Sequence, residues 1–577
     1  MIVFYTWEEV QWHKVERRIL RYQQRIYKAS LKNNISLVKV LQKIIINSLD
    51  AKLLSVRKVT SFNIEKKTSL INGKTYITSE QKIRLVEKLR VDGKTEFHLS
   101  KKKSFAKNLL DRPTISDRAK QALVLFALEP EWEARFEANS FGFRPGRSCH
   151  DAIEAIYLSL ANTNQKPIYY KYVLNTNIKD CFENVDHKFV LSKLNTLPEI
   201  KSQVFAWLNA GILGTREIPT FYSNFISAIP RHAHMKAPQE VIMRFFLINV
   251  VLHGLETDLK NWVCSKIPIG ASKKMSRRDK MKSLACVRYG SDFIIIHKSK
   301  TIVHESKVFI KNWLNSTSKF QLNSNKTQIV CSSNGFDFLG FKIISLQRDN
   351  KTKIKIYPSK KSVLKITANV GDIARKNRSL SAYDLIKILR PIVIGWANYY
   401  KYCECKKVFG KIDSNIWQIL QSWVFRRDRL HGRYKIKEKY FPSGRIYKFD
   451  NRIYYDNWVF FAKRQGKNGK MEEIWLPRMQ WIKKEKFVKV KGNLSIYDRN
   501  FDYWILRFFK YGISGSLKKS LFKRQKGRCT WCKNSFYPTD FIEIDHIIPN
   551  KEQRNDSFDN LQLLHKHCHL KKTQLEK

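Results

Sequence analysis

The sequence predicts an α+β multidomain protein: helical at its start and again from about 360 to 430, and ending in a small cysteine- and histidine-rich module. Three observations carry that expectation. Apolar residues recur at three-to-four spacing between basic ones over 7–60 and 360–430, the period of amphipathic helices. In the centre, Arg288-Tyr289-Gly290-Ser291-Asp292 leads into the apolar run Phe293-Ile294-Ile295-Ile296. Near the end, Cys529-Thr530-Trp531-Cys532 is answered by His565-Lys566-His567-Cys568-His569, two knuckles of soft and borderline metal ligands.

A chain of 577 residues has room for about three to five domains, and its 43% hydrophobic content supports packed cores. Its 108 Lys and Arg against 50 Asp and Glu give a net charge of +58, spread over the whole length. That is the footprint of a polyanion binder, because ammonium and guanidinium groups gain free energy by releasing counterions from phosphates. No apolar run approaches the roughly 18 residues a membrane span needs; the stretch from Phe245 to Leu252 is too short, so no membrane partner is expected. The opening Met1-Ile2-Val3-Phe4-Tyr5-Thr6-Trp7-Glu8-Glu9 lacks a basic segment followed by an apolar one, so no targeting peptide is expected. Of ten cysteines only Cys529 and Cys532 form C-x-x-C, which points to a reducing compartment and one metal site. The heavy use of Ile, Lys and Asn suits an AT-rich organelle genome.

Taken in order, the first helical stretch sets Val15, Ile19, Tyr22 and Ile26, then Val38, Leu41 and Ile45, on apolar faces between basic residues. After a weakly patterned stretch, Phe141-Gly142-Phe143-Arg144-Pro145-Gly146-Arg147 forms a turn that opens a helix. Two guanidiniums near a helix N-terminus suit phosphates, and a purely structural turn is the alternative. The basic run Lys273, Lys274, Arg277, Arg278, Lys280 and Lys282 reads equally as a solvated loop or an RNA-contacting insertion, while His232 and His234 read as surface residues. Over 360–430, Arg390-Pro391-Ile392-Val393-Ile394-Gly395-Trp396-Ala397-Asn398-Tyr399-Tyr400 interleaves aromatics with basic residues. This suits stacking on unpaired bases, against a plain helical core.

These motifs together resemble the group II intron-encoded proteins, with the cyanobacterial and chloroplast branch most similar. The resemblance rests on Gln24 to Ser30 and Ser48 to Thr60, on Ile115 to Leu123 and Phe136 to Ala152, on the Tyr289 turn with Leu322 to Thr327 and Gly335 to Phe341, and on Arg390 to Tyr400. It implies a right-hand reverse-transcriptase-like fingers and palm, a helical thumb (the maturase X domain) and a zinc-bound ββα HNH domain. The implied division is a basic helical extension over 1–75, fingers and palm over 76–350, the maturase-specific domain over 360–440, a connector or DNA-binding region over 441–520, and an HNH endonuclease over 521–577.

The family's palm turn reads Tyr-Ala-Asp-Asp, with a third carboxylate on an upstream strand, and holds two Mg²⁺. Here the turn carries Ser291 and Asp292, and the upstream position in Leu174-Asn175-Thr176-Asn177-Ile178-Lys179 is Asn177. One acid flanked by an amide and a hydroxyl is expected not to hold two metals, so the polymerase site is expected to be degenerate. The family's Pro-Gln-Gly-Gly reads Pro238-Gln239-Glu240, which places charge where a triphosphate would sit. Its finger loop is reduced to Leu99-Ser100-Lys101-Lys102-Lys103 and Asp111-Arg112-Pro113-Thr114.

At the C-terminus the resemblance assigns structural zinc to Cys529, Cys532, His565 and Cys568. It assigns catalysis to His546 as general base, Asn560 as its orienter, and Asp545 with His569 as ligands of Mg or another divalent cation. The family's Gly-Gly loop is replaced by Lys551-Glu552-Gln553-Arg554. Arg144, Arg147, Trp396, Tyr399 and Tyr400 are expected to contact RNA. The expected function is a maturase that binds its host intron RNA to promote splicing and cleaves double-stranded DNA at the intron insertion site, encoded in an organelle with chloroplast favoured over mitochondrion. The rivals are an active intron-mobility reverse transcriptase, which Asn177, Ser291 and Glu240 argue against, and a decayed protein with general RNA affinity.

Overall fold

The computed structural model describes residues 6–60, 78–94, 114–161, 170–179, 186–210, 239–266, 276–348, 351–428, 430–450, 452–465, 471–512, 516–536, 540, 542–549 and 557–575. The period read over the N-terminal stretch becomes three helices, α1 (Trp12–Leu31), α2 (Ile35–Asn47) and α3 (Leu49–Thr60). Val15, Ile19, Ile26, Val38, Leu41 and Ile45 are buried, while Lys14, Arg17, Arg21, Arg25 and Lys28 face solvent along α1. After α4 (Ser79–Lys88), Thr114 caps α5 (Ile115–Arg135) by accepting a hydrogen bond from the Asp117 amide. α5 is buried on most of its circumference, as expected of a helix with neighbours on several sides. It packs against α1, α2, α3 and the helix Gln239–Leu252. The N-terminal helices therefore share one core with the centre of the chain.

α6 (Cys149–Leu160) leads to an antiparallel sheet of β1 (Tyr172–Lys179), β2 (Ala285–Tyr289), β3 (Asp292–His297), β4 (Gln321–Leu322) and β5 (Gln328–Cys331). β1 pairs with β3, β4 and β5, and β2 lies outside β3. The run Phe293-Ile294-Ile295-Ile296 shows no polar alternation because both sheet faces are covered. Leu174, Phe293 and Ile295 enter the core of the N-terminal helices, whereas Val173, Ile294 and Ile296 enter a second core with α6 and the helices after residue 360. Each such side chain contributes about 1.5–3 kcal/mol of transfer free energy.

The chain continues through a second sheet, β6 (Phe336–Phe338), β7 (Phe341–Arg348) and β8 (Lys351–Pro358), into the helices Lys360–Lys376, Ala382–Tyr400 and Lys406–Arg427. This helical layer is clamped to the sheet. Tyr399 and Tyr400 donate their hydroxyls to the carbonyls of Leu339 and Gly340 at 3.1 and 3.2 Å. Gly340 sits at φ +82°, and a Cβ there would meet the Tyr400 hydroxyl at 2.7 Å. Farther on, the segment from Val490 to Arg507 is tied back to the first half of the chain. The Val490 amide and the Arg507 guanidinium both donate to Asp151 of α6, at 2.7 Å each, and Tyr497 donates to Glu129 of α5 at 2.7 Å.

The last module is two antiparallel strands, Ile542–His546 and Leu561–His565, followed by the helix Lys566–Leu575. It has a small core of its own around Phe522, Phe536, Leu563 and Cys568, and it touches α1, where Arg17 donates to Asn534.

Candidate functional site

Strand pairing sets Asn177 of β1 directly opposite Asp292 of β3, so the two palm positions named from sequence do meet at the end of the sheet. The Ser291 carbonyl accepts the Ile178 amide at 3.1 Å, which closes the turn onto β1. The Asn177 side chain thus neighbours the Asp292 carboxylate. Burial pushes the Asp292 carboxyl up to about 6, while Lys326 and the Asn177 amide pull in the opposite direction. A second carboxylate here would need cations to offset repulsion, whereas the neutral amide of Asn177 adds no negative charge. The turn is also tightly covered. Gly142 lies so close to the Tyr289-Gly290 backbone that a Cβ would come within 2.2 Å of the Gly290 nitrogen, and the Phe143 and Phe245 rings stack at 3.6 Å beside it. The helix Gln239–Leu252 begins at the Gln239-Glu240 pair; the Glu240 side chain, the finger-loop remnants at 99–103 and 111–113, His232, His234, Lys273 and Lys274 lie outside the described residues.

In the C-terminal module, the ligand atoms of Cys529, Cys532, His565 and Cys568 all lie within 4.8 Å of one another. The His565 Nδ1 is 3.3 Å from the Cys532 sulfur, and its Nε2 is 3.3 Å from the Asp540 carboxylate. A carboxylate on the outer nitrogen of a metal-facing imidazole fixes its tautomer and strengthens it as a donor. Three sulfurs and one imidazole at this spacing fit a closed four-coordinate site. Hydrogen bonds from Cys532 and Cys568 hold the Cys529 thiol far below its ordinary range, so a thiolate is favoured in this set.

On the next face of the same module, Asp545 Oδ1 lies 3.3 Å from His569 Nε2, and Glu543 lies 2.8 Å from His569 Nδ1. The His569 ring thus stands between two carboxylates. Lys572, one helical turn beyond His569, places its ammonium 2.8 Å from Asp545 Oδ2, which also accepts from Gln562 at 3.0 Å. Asn560 is buried and clasps the loop that follows His546. Its Oδ1 accepts the Ile548 amide at 2.8 Å and its Nδ2 donates to the Ile548 carbonyl at 3.2 Å. Asn560 therefore fixes the backbone just beyond the candidate base. The Lys551 to Arg554 replacement lies outside the described residues.

Four family models match this chain in sequence order. They are the N-terminal domain of reverse transcriptase over residues 7–89, reverse transcriptase (RNA-dependent DNA polymerase) over 100–343, the group II intron maturase-specific domain over 363–441, and HNH endonuclease over 529–575. Maturase-like protein 1 of Euglena gracilis is 28% identical over 408 residues, covering 69% of this chain and 78% of that protein. The chain belongs to the group II intron maturases. The group II intron-encoded protein LtrA of Lactococcus lactis subsp. cremoris is 25% identical over 310 residues, covering 46% of this maturase and 50% of the relative. An uncharacterized 59.8 kDa protein in psbD intron 8 of Euglena gracilis is 24% identical over 353 residues, covering 58% and 64%.

The maturase corrects five of its sequence-read RNA contacts. Arg144 is 1% exposed. Its Nε and Nη2 donate to Glu133 at 2.7 and 3.1 Å, and its Nη1 donates to the carbonyls of Glu137 and Ser140, so no edge of the guanidinium is left to meet a phosphate. Arg147 is buried as well and donates to the carbonyls of Ala138, Gly492 and Leu494, which makes it a tether between the turn before α6 and the segment around Gly492. Trp396, Tyr399 and Tyr400 lie in the core, with Trp396 against Tyr400 at 4.3 Å and Phe409 at 6.0 Å, so no ring face is open to a base.

Sequence reasoning missed Asp540, Glu543, Gln562, Lys572 and Lys326. Two of these carried a signal. A metal-facing histidine needs a partner for its second nitrogen, and Lys572 falls at i+3 from His569, hence on the same helix face.

Proposed function

We propose that this maturase grips its host intron RNA to promote splicing, does not polymerise, and cuts double-stranded DNA at the intron insertion site with its HNH module. The observation that carries the reading is the pairing of Asn177 directly opposite Asp292, which leaves a lone carboxylate beside an amide where polymerisation needs a cluster of carboxylates. By contrast, the 3.3 Å approach of Asp545 Oδ1 to His569 Nε2 supports a cation site in the C-terminal module. In this reading His546 takes a proton from water, Asn560 holds the loop behind it, and Glu543 orients the His569 ring. A divalent cation such as Mg²⁺, held by Asp545 and His569, supplies electrostatic stabilisation at the scissile phosphate. Zinc is the ion we assign to Cys529, Cys532, His565 and Cys568, where it contributes folding free energy to the module.

With the five buried residues set aside, RNA contact falls to exposed basic faces. These are Lys14, Arg17, Arg21, Arg25 and Lys28 on α1 and Lys360, Lys361, Lys365, Arg375 and Lys376 on the first helix of the maturase domain. The division into a helical extension over 1–75, fingers and palm over 76–350, maturase domain over 360–440, connector over 441–520 and nuclease over 521–577 belongs to the same proposal, as does an organellar gene, chloroplast rather than mitochondrial. The test is a pair of assays on the purified full chain with divalent metal: primer extension on an RNA template, and nicking of duplex DNA carrying the insertion site. The reading expects no extension and expects nicking; extension without nicking would overturn it.

A further inference from the structure

A cleft of ≈ 330 Å³ opens between α6 and the end of the β2–β3 hairpin away from the palm turn. Ala285 and Ile296, paired at that end of the hairpin, and Leu158 of α6 form apolar walls. Three lysines complete it: Lys171, just before β1; Lys282, in the last turn of the helix Arg277–Ser283; and Lys489, in the connector. They come from segments far apart in sequence, so no helical repeat groups them. None of the described residues lining the cleft is acidic. Glu154, on the same helix, is close enough to feel Lys486 and Lys489 but does not line it.

We propose that this cleft binds the phosphate of a single nucleotide, supplied by the bound RNA strand. A cleft lined by three lysines and no carboxylate is positive, and that charge attracts an anion into it. Lys171 is positioned rather than loose: its Nζ donates to the Ser159 carbonyl at 2.7 Å, leaving two of its three N–H groups for a ligand. Leu158 is 51% exposed, an apolar surface against which a ribose or base can rest. The cleft is not the polymerase's nucleotide site. Three residue pairs of the hairpin lie between Ala285 and the Tyr289–Asp292 pair at the turn, a distance of about 13 Å along the strands. The basic run before β2 thereby acquires a role for Lys282. This proposal rests on the reading that the maturase grips RNA.

The test uses the full chain, the double variant Lys282→Gln/Lys489→Gln, and a control that removes the same charge from the helix Lys300–Thr317, Lys300→Gln/Lys311→Gln. Affinity for intron RNA is measured against salt, and amine-reactive labelling read by mass spectrometry is run with RNA, with inorganic phosphate alone, and with neither. The expected result is a salt slope lowered by about 1 to 2 in the cleft variant relative to the control, with RNA protecting Lys171, Lys282 and Lys489 from labelling. Protection by inorganic phosphate alone would also support a phosphate site and would assign it to a free phosphate compound. If wild type binds RNA while the three lysines label equally in every arm and the two variants share one slope, the proposal is overturned. If wild type fails to bind RNA, the functional reading above falls, and the phosphate arm decides the cleft alone, with no protection overturning it.

Discussion

Replacing Arg144 with Met removes a guanidinium that is 1% exposed and makes two hydrogen bonds to Glu133 and two to backbone carbonyls. Glu133 is itself 2% exposed, so the variant leaves a buried carboxylate without its counter-charge. Breaking a buried pair from one side costs about 3–5 kcal/mol, more than removing both partners together. The double variant Arg144→Met/Glu133→Leu should therefore recover most of the loss. RNA affinity should keep the same salt slope in both variants, because no phosphate contact has been removed. Hydrogen exchange of the α5 and α6 amides reads the local stability directly. Unchanged protection in Arg144→Met, to within about 1 kcal/mol, together with a salt slope lowered by about 1, would refute the structural role and return Arg144 to the RNA surface.

Asp292 gives a pH signature. Between the ordinary value of 3.8 and about 6 the folded chain holds a proton that the unfolded chain has released, so stability falls as pH rises through that window. Asp292→Asn should remove this dependence and exceed wild type near neutral pH by about 1–3 kcal/mol in denaturant melts; a variant less stable than wild type there would contradict the assignment. Cys532→Ser should lose bound metal and the exchange protection of the strands Ile542–His546 and Leu561–His565 while α5 stays protected, as metal analysis with hydrogen exchange would reveal. His546→Ala and His569→Ala should each keep bound zinc and fold yet lose nicking by about 10²-fold or more; nicking at the wild-type rate in both would make the module a metal-bound anchor.

Much of the fold is legible because each element carries a local cause. The apolar run after Asp292 marks a strand buried on both faces, and Val15, Ile19 and Ile26 mark one face of α1. The cysteine and histidine knuckles are legible because their residue types have few other uses at that spacing. The illegible part is partnership across sequence distance. Arg144 looks like a phosphate ligand until Glu133, eleven residues earlier, is found beneath it. Tyr399 and Tyr400 look like stacking platforms until their hydroxyls are found on the carbonyls of Leu339 and Gly340, sixty residues away. Aromatic and basic residue types serve cores and RNA surfaces equally well, so composition alone does not separate the two uses.

In the proposed function, RNA contacts promote intron splicing without any dependence on polymerase chemistry. The most direct measurement is the rate at which the host intron transcript splices in vitro at low magnesium, with no protein, with wild type, and with Asp292→Asn. The account predicts that both proteins accelerate splicing equally. No acceleration by wild type, or acceleration that Asp292→Asn abolishes while its RNA binding persists, would contradict it.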